Sequence, residues 1–314
     1  MEEEIEIMKS ILTFLPRTIS DQINKIPPAL LNEIEEIRVR VNRSLEISTK
    51  GLVQFFPYTV QPEDALHLLN KISHYSIYAL EEELKRGYIT IEGGHRVGLA
   101  GKVILEEGRV KAIRDVSSFN IRIAKEKIGI ANGILKDLYK QNWLHTMIVG
   151  PPQTGKTTLL RDLARIISGG HSEAPIKARK VGIIDERSEI AGCVSGIPQM
   201  TFGPRIDVLD ACPKAEGMMM MIRSMSPDVL VVDEIGRSQD AEAIMEAVNA
   251  GIKLIMTTHG KSYDEIKKRP TLKGLLNEKV IERFVILSRT SGSGTITSIL
   301  DGEGNKLNNE VRVL

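Results

Sequence analysis

The chain has 314 residues, 26% of them charged, yet its net charge is only +1, with 42% hydrophobic and 4% aromatic residues. That length supports one large or two medium domains with cores of their own. The near-neutral balance gives no global pull toward nucleic acid or anionic lipid, apolar runs are strand-sized, and Met1-Glu2-Glu3-Glu4 is the opposite of a secretory n-region, so neither a signal nor a transmembrane segment is expected.

Ile5, Met8, Ile11, Leu12 and Leu15 fall at helical spacing, and a second amphipathic stretch runs from about Ile19 to Ile34. Glu36 to Val41 alternates as a half-buried strand does, and Leu45 to Ser48 and Leu52 to Phe56 follow suit. Pro62 opens a helix through Leu66, Leu69 and Ile72, and Ser76 caps the next, which ends at Gly87. Strands at Ile89 to Ile91, Arg96 to Leu105, Val110 to Ile113 and Phe119 to Ile123, with turns at Gly93-Gly94 and Gly108, predict a small antiparallel sheet packed with helices. Lys125 to Gly129 reads as a linker, which divides the chain into an α+β domain of residues 1–128 and a second domain of residues 129–314. A helix from Ile130 to Gln141 leads into the second domain.

From Thr146 the pattern is a short buried strand, a glycine-bounded loop, and a helix that opens at Lys156 with Leu159, Leu160, Leu163, Ile166 and Ile167 on one face. Gly150-Pro151-Pro152-Gln153-Thr154-Gly155-Lys156-Thr157-Thr158 carries the full G-x-x-x-x-G-K-[ST] pattern in the context a phosphate-binding loop requires. The two glycines let successive N–H groups turn inward, and the helix N-terminus adds partial positive charge. Lys156 is expected on the β- and γ-phosphates of ATP and the Thr157 hydroxyl on Mg²⁺. A chance match in a Gly/Pro turn would lack the flanking strand and helix.

Beyond the loop, strands and helices alternate, which predicts a parallel sheet with crossover helices. Val181 to Ile184 ends in Asp185-Glu186-Arg187, Val229 to Val232 in Asp233-Glu234, and Leu254 to Thr257 in Thr258-His259. Ligands of open α/β sheets sit at the carboxyl ends of strands, so the three clusters should converge on the nucleotide. Phe284 to Leu287, Thr295 to Leu300 and Val311 to Leu314 read as edge strands. Cys193 and Cys212 lack the spacing of a metal site and point to a reducing compartment, the cytoplasm.

Four apolar residues before Asp233-Glu234, 77 positions after Lys156 (233 − 156), make a Walker B motif. Asp233 would help to hold Mg²⁺, and Glu234 would orient or deprotonate the attacking water, which argues for hydrolysis. His259 is a candidate sensor of the γ-phosphate against the plainer reading of a solvated strand end. Asp185, Glu186, Arg187 and Glu189 have a comparable claim to the site, with Glu186 and Glu189 the next candidate bases after Glu234, against the plainer reading of a surface salt-bridge patch. Met218, Met221, Ile222 and Met225 recur at helical spacing and read as a core-facing helix ending before Pro227, not as a ligand set or groove. Arg205, Lys214, Arg223 and Arg237 surround the active half, while Arg96, Arg114 and Arg122 crowd the end of the N-terminal sheet.

Ile222 to Gly236, Asp240-Ala241-Glu242-Ala243 and Thr257-Thr258-His259 resemble the core of type II secretion and type IV pilus ATPases, mostly within residues 145 to 260. The departures are Asp233 and Gly236, where those proteins usually carry Gly and Arg. The resemblance implies a RecA-like P-loop fold, a hexameric ring, and an arginine donated from the N-terminal domain, here Arg122 or Arg114, facing the phosphates across a domain or subunit boundary.

A closer resemblance, along nearly the whole chain, is to the stage III sporulation protein AA family. It is carried by Glu36 to Arg40, Gly93 to Gly98, Ser117 to Arg122, Pro151-Pro152, Asp185 to Ile190, and Asp207 to Asp210 before Cys212-Pro213-Lys214. It implies a mother-cell ATPase, cytoplasmic and peripheral to the membrane, docked on membrane proteins of the forespore channel complex. Two other classes compete. A RecA-like nucleic-acid motor is disfavoured by neutral charge and few aromatics. A nucleotide-gated scaffold with negligible turnover is disfavoured by Glu234.

Overall fold

The computed structural model describes residues 11–74, 81–171, 175–290, 294–308 and 312–313. The chain divides into two compact units, Met1–Lys125 and Glu126–Leu314.

The first unit is built on strands β1 (Ile34–Arg40), β2 (Ser44–Thr49), β3 (Leu52–Thr59), β4 (Tyr88–Ile91), β5 (His95–Glu106) and β6 (Arg109–Arg122). They form one antiparallel sheet in the order β3-β2-β1-β6-β5-β4. The alternation of Ile37 and Val39 with Arg38 and Arg40 in β1 puts the apolar set on the face covered by the helices Arg17–Ile23 and Pro62–Ile72, where Ile19, Ile23, Leu68 and Ile72 are buried with them.

Several expectations change here. The amphipathic stretch from Ile19 to Ile34 is two short helices, Arg17–Ile23 and Pro28–Leu31, because Pro27 and Pro28 cannot continue the first, and Ile34 already belongs to β1. Val110 to Ile113 and Phe119 to Ile123 are not separate strands but one strand, β6, which passes through a bulge. Gly101 stands there against Asp115 at φ 47°, and a Cβ on Gly101 would lie 2.6 Å from the Arg114 carbonyl oxygen. Residues 11–14 are helical, but Ile5 and Met8 of the expected first helix and the Ser76 cap lie outside the described residues.

The second unit holds β7 (Thr146–Gly150), β8 (Val181–Asp185), β9 (Ile206–Asp210), β10 (Val229–Val232), β11 (Lys253–His259), β12 (Arg283–Ser288), β13 (Thr295–Asp301), β14 (Lys306–Asn308) and β15 (Arg312–Val313). Their sheet runs β14-β13-β12-β7-β11-β10-β8-β9, with β15 paired to β13. The pairs from β12 through β9 are parallel, and β13 to β15 are antiparallel. Ile148 faces one core with the helix Lys156–Gly169, while Met147 and Val149 face the other with the helices Lys214–Ser224 and Ser238–Asn249. A parallel sheet covered on both faces explains why these strands are continuous apolar runs.

Four placements differ from expectation. Phe284 to Leu287 belongs to β12, between β7 and β13, and Thr295 to Leu300 to β13, between β12 and the short strands β14 and β15, so both are interior strands rather than edges. β9 was not anticipated. The helix from Ile130 to Gln141 shrinks to a 3₁₀ turn, Asn132–Ile134, and one α turn, Leu135–Leu138, after which Tyr139 turns extended and meets Trp143 edge-on at 5.3 Å. Asn132-Gly133 is poor helical sequence, and the Trp143 anchor outweighs it.

Candidate nucleotide site

β7 delivers Gly150 to the sheet's carboxyl edge, where no side chain fits: a Cβ would lie 2.5 Å from Thr154 Oγ1 and 3.1 Å from Leu287 Cβ. Pro151, Pro152 and Gln153 then lead the loop round. Thr154 is fully buried and donates its hydroxyl hydrogen to the Pro151 carbonyl at 2.8 Å. Gln153 (φ 60°) and Gly155 (φ 85°) adopt left-handed backbone, which reverses the chain into the helix Lys156–Gly169. No side chain caps that helix, so the first-turn N–H groups of Lys156, Thr157 and Thr158 have no helical acceptor and form an anion cradle. The loop's residues therefore fit a phosphate group.

Lys156 is buried and donates to the Pro151 carbonyl at 3.0 Å, and its Nζ lies 3.3 Å from His259 Nδ1. Burial holds its pKa below the usual lysine value, opposed by the charges of Asp233 and Glu234. Thr157 Oγ1 donates to Asp233 Oδ2 at 2.7 Å. The other Asp233 oxygen accepts from Thr257 Oγ1, which in turn accepts the Glu234 N–H at 2.8 Å.

Glu234 follows β10 in the left-handed region (φ 55°), a costly conformation for a residue with a Cβ, and this turns its carboxylate toward the neighbouring strand ends. Its Oε1 lies 2.9 Å from His259 Nε2 and its Oε2 pairs with Arg187 at 2.7 Å. A neutral His259 with its proton on Nε2 satisfies both neighbours, Nδ1 accepting from Lys156 and Nε2 donating to Glu234. The three strand ends, nine residues of loop and helix, and these polar side chains thus meet at one edge of the sheet.

The β8 cluster splits by role. Asp185 is buried and accepts the N–H groups of Glu189, Ile190 and Ala191 at 2.8, 2.9 and 2.8 Å, so it organises its own loop. Burial pushes its carboxyl up to about 6, against the lowering effect of those donors. Glu186 is paired with Lys214 Nζ and lies 3.8 Å from Arg237. Arg161, from the phosphate-loop helix, donates to the carbonyls of Glu189 and Ile190, both at 2.7 Å, and ties that loop to the helix.

The other arginines do not form one group. Arg205 donates to the Ala178 carbonyl, and Arg223 is exposed on the helix Lys214–Ser224. In the first unit Arg122 stands opposite Arg96, whose guanidinium lies 3.4 Å over the Tyr88 ring, but Arg114 stands opposite Lys102 in the distal part of the hairpin. The expected cluster of Arg96, Arg114 and Arg122 is therefore corrected. Eight residues (122 − 114) separate the two β6 arginines, ~26 Å along an extended strand.

Two roles are not legible in the sequence. Thr257, expected as a strand end and as part of the Thr257-Thr258-His259 motif, orders Asp233 and Glu234 together. Arg289 donates to the carbonyl and side-chain oxygens of Gln153 and braces the phosphate loop from 136 residues away, a contact without local signal.

A strand–loop–helix phosphate cradle beside an acidic strand end, on a mostly parallel sheet, defines the second unit as a RecA-like P-loop NTPase domain preceded by a smaller α+β domain. The Legionella pneumophila ATPase DotB superposes with a TM-score of 0.57 at 15% identity, over 85% of this chain and 75% of that one. The pilus retraction motor PilT, solved with bound ADP, superposes with a TM-score of 0.58 at 16% identity, over 85% and 76%. The family described as "Sporulation stage III, protein AA" matches residues 5–307, and stage III sporulation protein AA of Bacillus subtilis (strain 168) is 55% identical over 301 residues, 96% of this chain and 97% of the relative. The chain belongs to the stage III sporulation protein AA family. SEEDLING PLASTID DEVELOPMENT 1 of Arabidopsis thaliana is 29% identical over 174 residues, 54% of this chain and 24% of that protein.

Proposed function

We propose that this protein binds and hydrolyses ATP with Mg²⁺ and works as a homo-oligomeric, hexameric motor at the mother-cell face of the forespore membrane. It would attach to membrane proteins of the sporulation channel complex. Gly150 through Thr158 hold the phosphates, with Lys156 on the β- and γ-groups. Thr157 and Asp233 hold Mg²⁺; among the described residues no three His, Cys, Asp or Glu side chains group to hold a metal by themselves, so phosphate oxygens and waters complete its shell. When bound, the cation neutralises charge on the phosphate oxygens.

Glu234 takes the proton of the attacking water and His259 fixes the carboxylate's direction. Arg187 must give up part of its hold on Glu234 for that carboxylate to act as a base. Glu186 stands behind as an alternative base, and Arg122 or Arg114 is the arginine supplied across a domain or subunit boundary. Family membership supports the sporulation role. Among the described residues no helix is long and apolar enough to cross a membrane, which fits attachment through partners.

The observation that carries hydrolysis is the Glu234 carboxylate, held by His259 at 2.9 Å and Arg187 at 2.7 Å, one residue from the Asp233–Thr157 bond. In Glu234→Gln the amide keeps the shape but accepts no proton. Titration with a fluorescent ATP analogue should give wild-type affinity, while steady-state phosphate release falls by about 100-fold or more. Wild-type turnover in this variant would reject Glu234 as the base. If the wild-type chain itself releases no phosphate, the scaffold reading takes its place.

A further inference from the structure

Of the expected core-facing set, Met218 and Met221 are buried under the sheet and Ile222 is half-buried, but Met225, at the helix end, is 44% exposed; between them Met220 is 52% exposed and Met219 is half-buried. The outward side of the helix Lys214–Ser224 therefore carries Glu216, Met219, Met220 and Arg223, at i, i+3, i+4 and i+7. Gln239, Glu242, Ala243 and Glu246 repeat that spacing on the adjacent helix Ser238–Asn249. Between the two stripes runs an open groove of about 980 Å³, floored by Ala215, Met219 and Ala243 and walled by Met220.

We propose that this groove docks a basic amphipathic helix of a partner protein, its apolar ridge on Met219 and Met220 and its lysines or arginines against Glu216, Glu242 and Glu246. Methionine is unbranched and flexible and suits a groove that closes round an incoming ridge. The rim holds three carboxylates to one guanidinium, and none of the three carboxylates makes an ion pair among the described residues. That sign selects a cationic occupant and repels both anionic lipid and nucleic acid.

A second copy of this chain offers no matching helix among the described residues. Among the described residues its other helices expose single large apolar side chains, Leu30 and Leu66, and none presents a stripe. The groove is also connected to the nucleotide site, because its two helices begin at Lys214, paired with Glu186, and just after Arg237, which lies 3.8 Å from Glu186. An occupant would thus press on the loop that carries Arg187.

The helices facing the groove have 11 and 12 residues, ~17 Å of contact, so a peptide of about 14 residues spans it. The full chain, labelled with ¹³C at its methionine methyls, is titrated with a Leu/Lys amphipathic helical peptide, and the affinity is read separately by fluorescence anisotropy. Saturable micromolar binding should shift the Met219 and Met220 methyl resonances and leave those of Met147 and Met256 in place. The double variant Glu242→Lys/Glu246→Lys should weaken binding at least tenfold, Met220→Glu should abolish it, and the same peptide with Glu for Lys should not bind.

The proposal is overturned if the groove methyls do not move, if charge reversal leaves the affinity unchanged, or if phosphatidylglycerol vesicles compete through the same methyls. It is equally overturned if Met220→Glu changes the mass of the free chain in sedimentation, because a second copy is then the occupant. No outcome depends on nucleotide turnover.

Discussion

Lys156 is only 6% exposed, yet its oxygen partner is a neutral carbonyl, and among the described residues no carboxylate lies within 4.0 Å of its ammonium. A buried cation with so little compensation is held against its own desolvation, which is why its pKa sits low. Phosphate oxygens would supply the missing charge. Lys156→Ala should therefore leave the free chain as stable as the wild type, or slightly more so, while nucleotide affinity drops by about 100-fold or more. Thermal melts with and without ATP and Mg²⁺ read both effects at once: an unchanged melting temperature without nucleotide, and loss of the upward shift with it. A melting temperature that still rises with nucleotide as in the wild type would remove Lys156 from the phosphate site.

At the scale of elements, β6 turns a vague expectation into a choice between two arginines. Arg114 and Arg122 share this strand, but the ~26 Å between them means that they cannot both meet one γ-phosphate. An arginine that meets charge developing in transfer lowers kcat more than affinity when removed. Of Arg114→Ala and Arg122→Ala, one should lose turnover by tenfold or more and the other should keep it, measured at several protein concentrations. Equal loss in both would point to damage of the sheet, and no loss in either would end the proposal that the first unit donates an arginine.

The same strand marks what a linear reading can reach. Alternation located β1, β2 and β5, and the phosphate loop and Walker B positions were plain because their chemistry is local in sequence. The join through the Gly101 bulge was not, because two short alternating runs with a break look like two strands. β12 was read as an edge because it comes late in the chain, although Phe284, Val285 and Leu287 are fully buried and its neighbour β7 lies more than 130 residues earlier. Thr257 and Arg289 were missed for the same physical reason: their partners, Asp233 and Gln153, are assembled by the sheet rather than by spacing.

Across the whole molecule, buried titratable groups make the two units respond differently to acid. His95, fully buried in the first unit with Nδ1 accepting the Ala124 N–H, is held at about 4 by burial. His145 in the second unit is likewise held at about 4, by burial first and then by Lys253. A histidine whose folded pKa is depressed contributes stability that is present above its unfolded value of 6.5 and is lost as pH falls toward 4. Asp185 works in the opposite sense. With its folded pKa raised from 3.8 to about 6, the native second unit takes up a proton that the unfolded chain does not, which stabilises it as pH falls below 6. Between pH 7 and 4.5 each histidine costs on the order of 2 to 3 kcal/mol and Asp185 returns about 2, so part of the second unit's loss is offset while the first unit has no such offset. Hydrogen exchange followed by mass spectrometry at the two pH values, corrected for intrinsic rates, should show β1, β5 and β6 losing on the order of 2 kcal/mol of protection while β7, β10 and β11 lose clearly less. In His95→Gln, which removes the titrating group, the first unit's loss should disappear even if its starting stability is lower. Equal losses in both units of the wild type would show that His95 and Asp185 do not titrate as their burial requires.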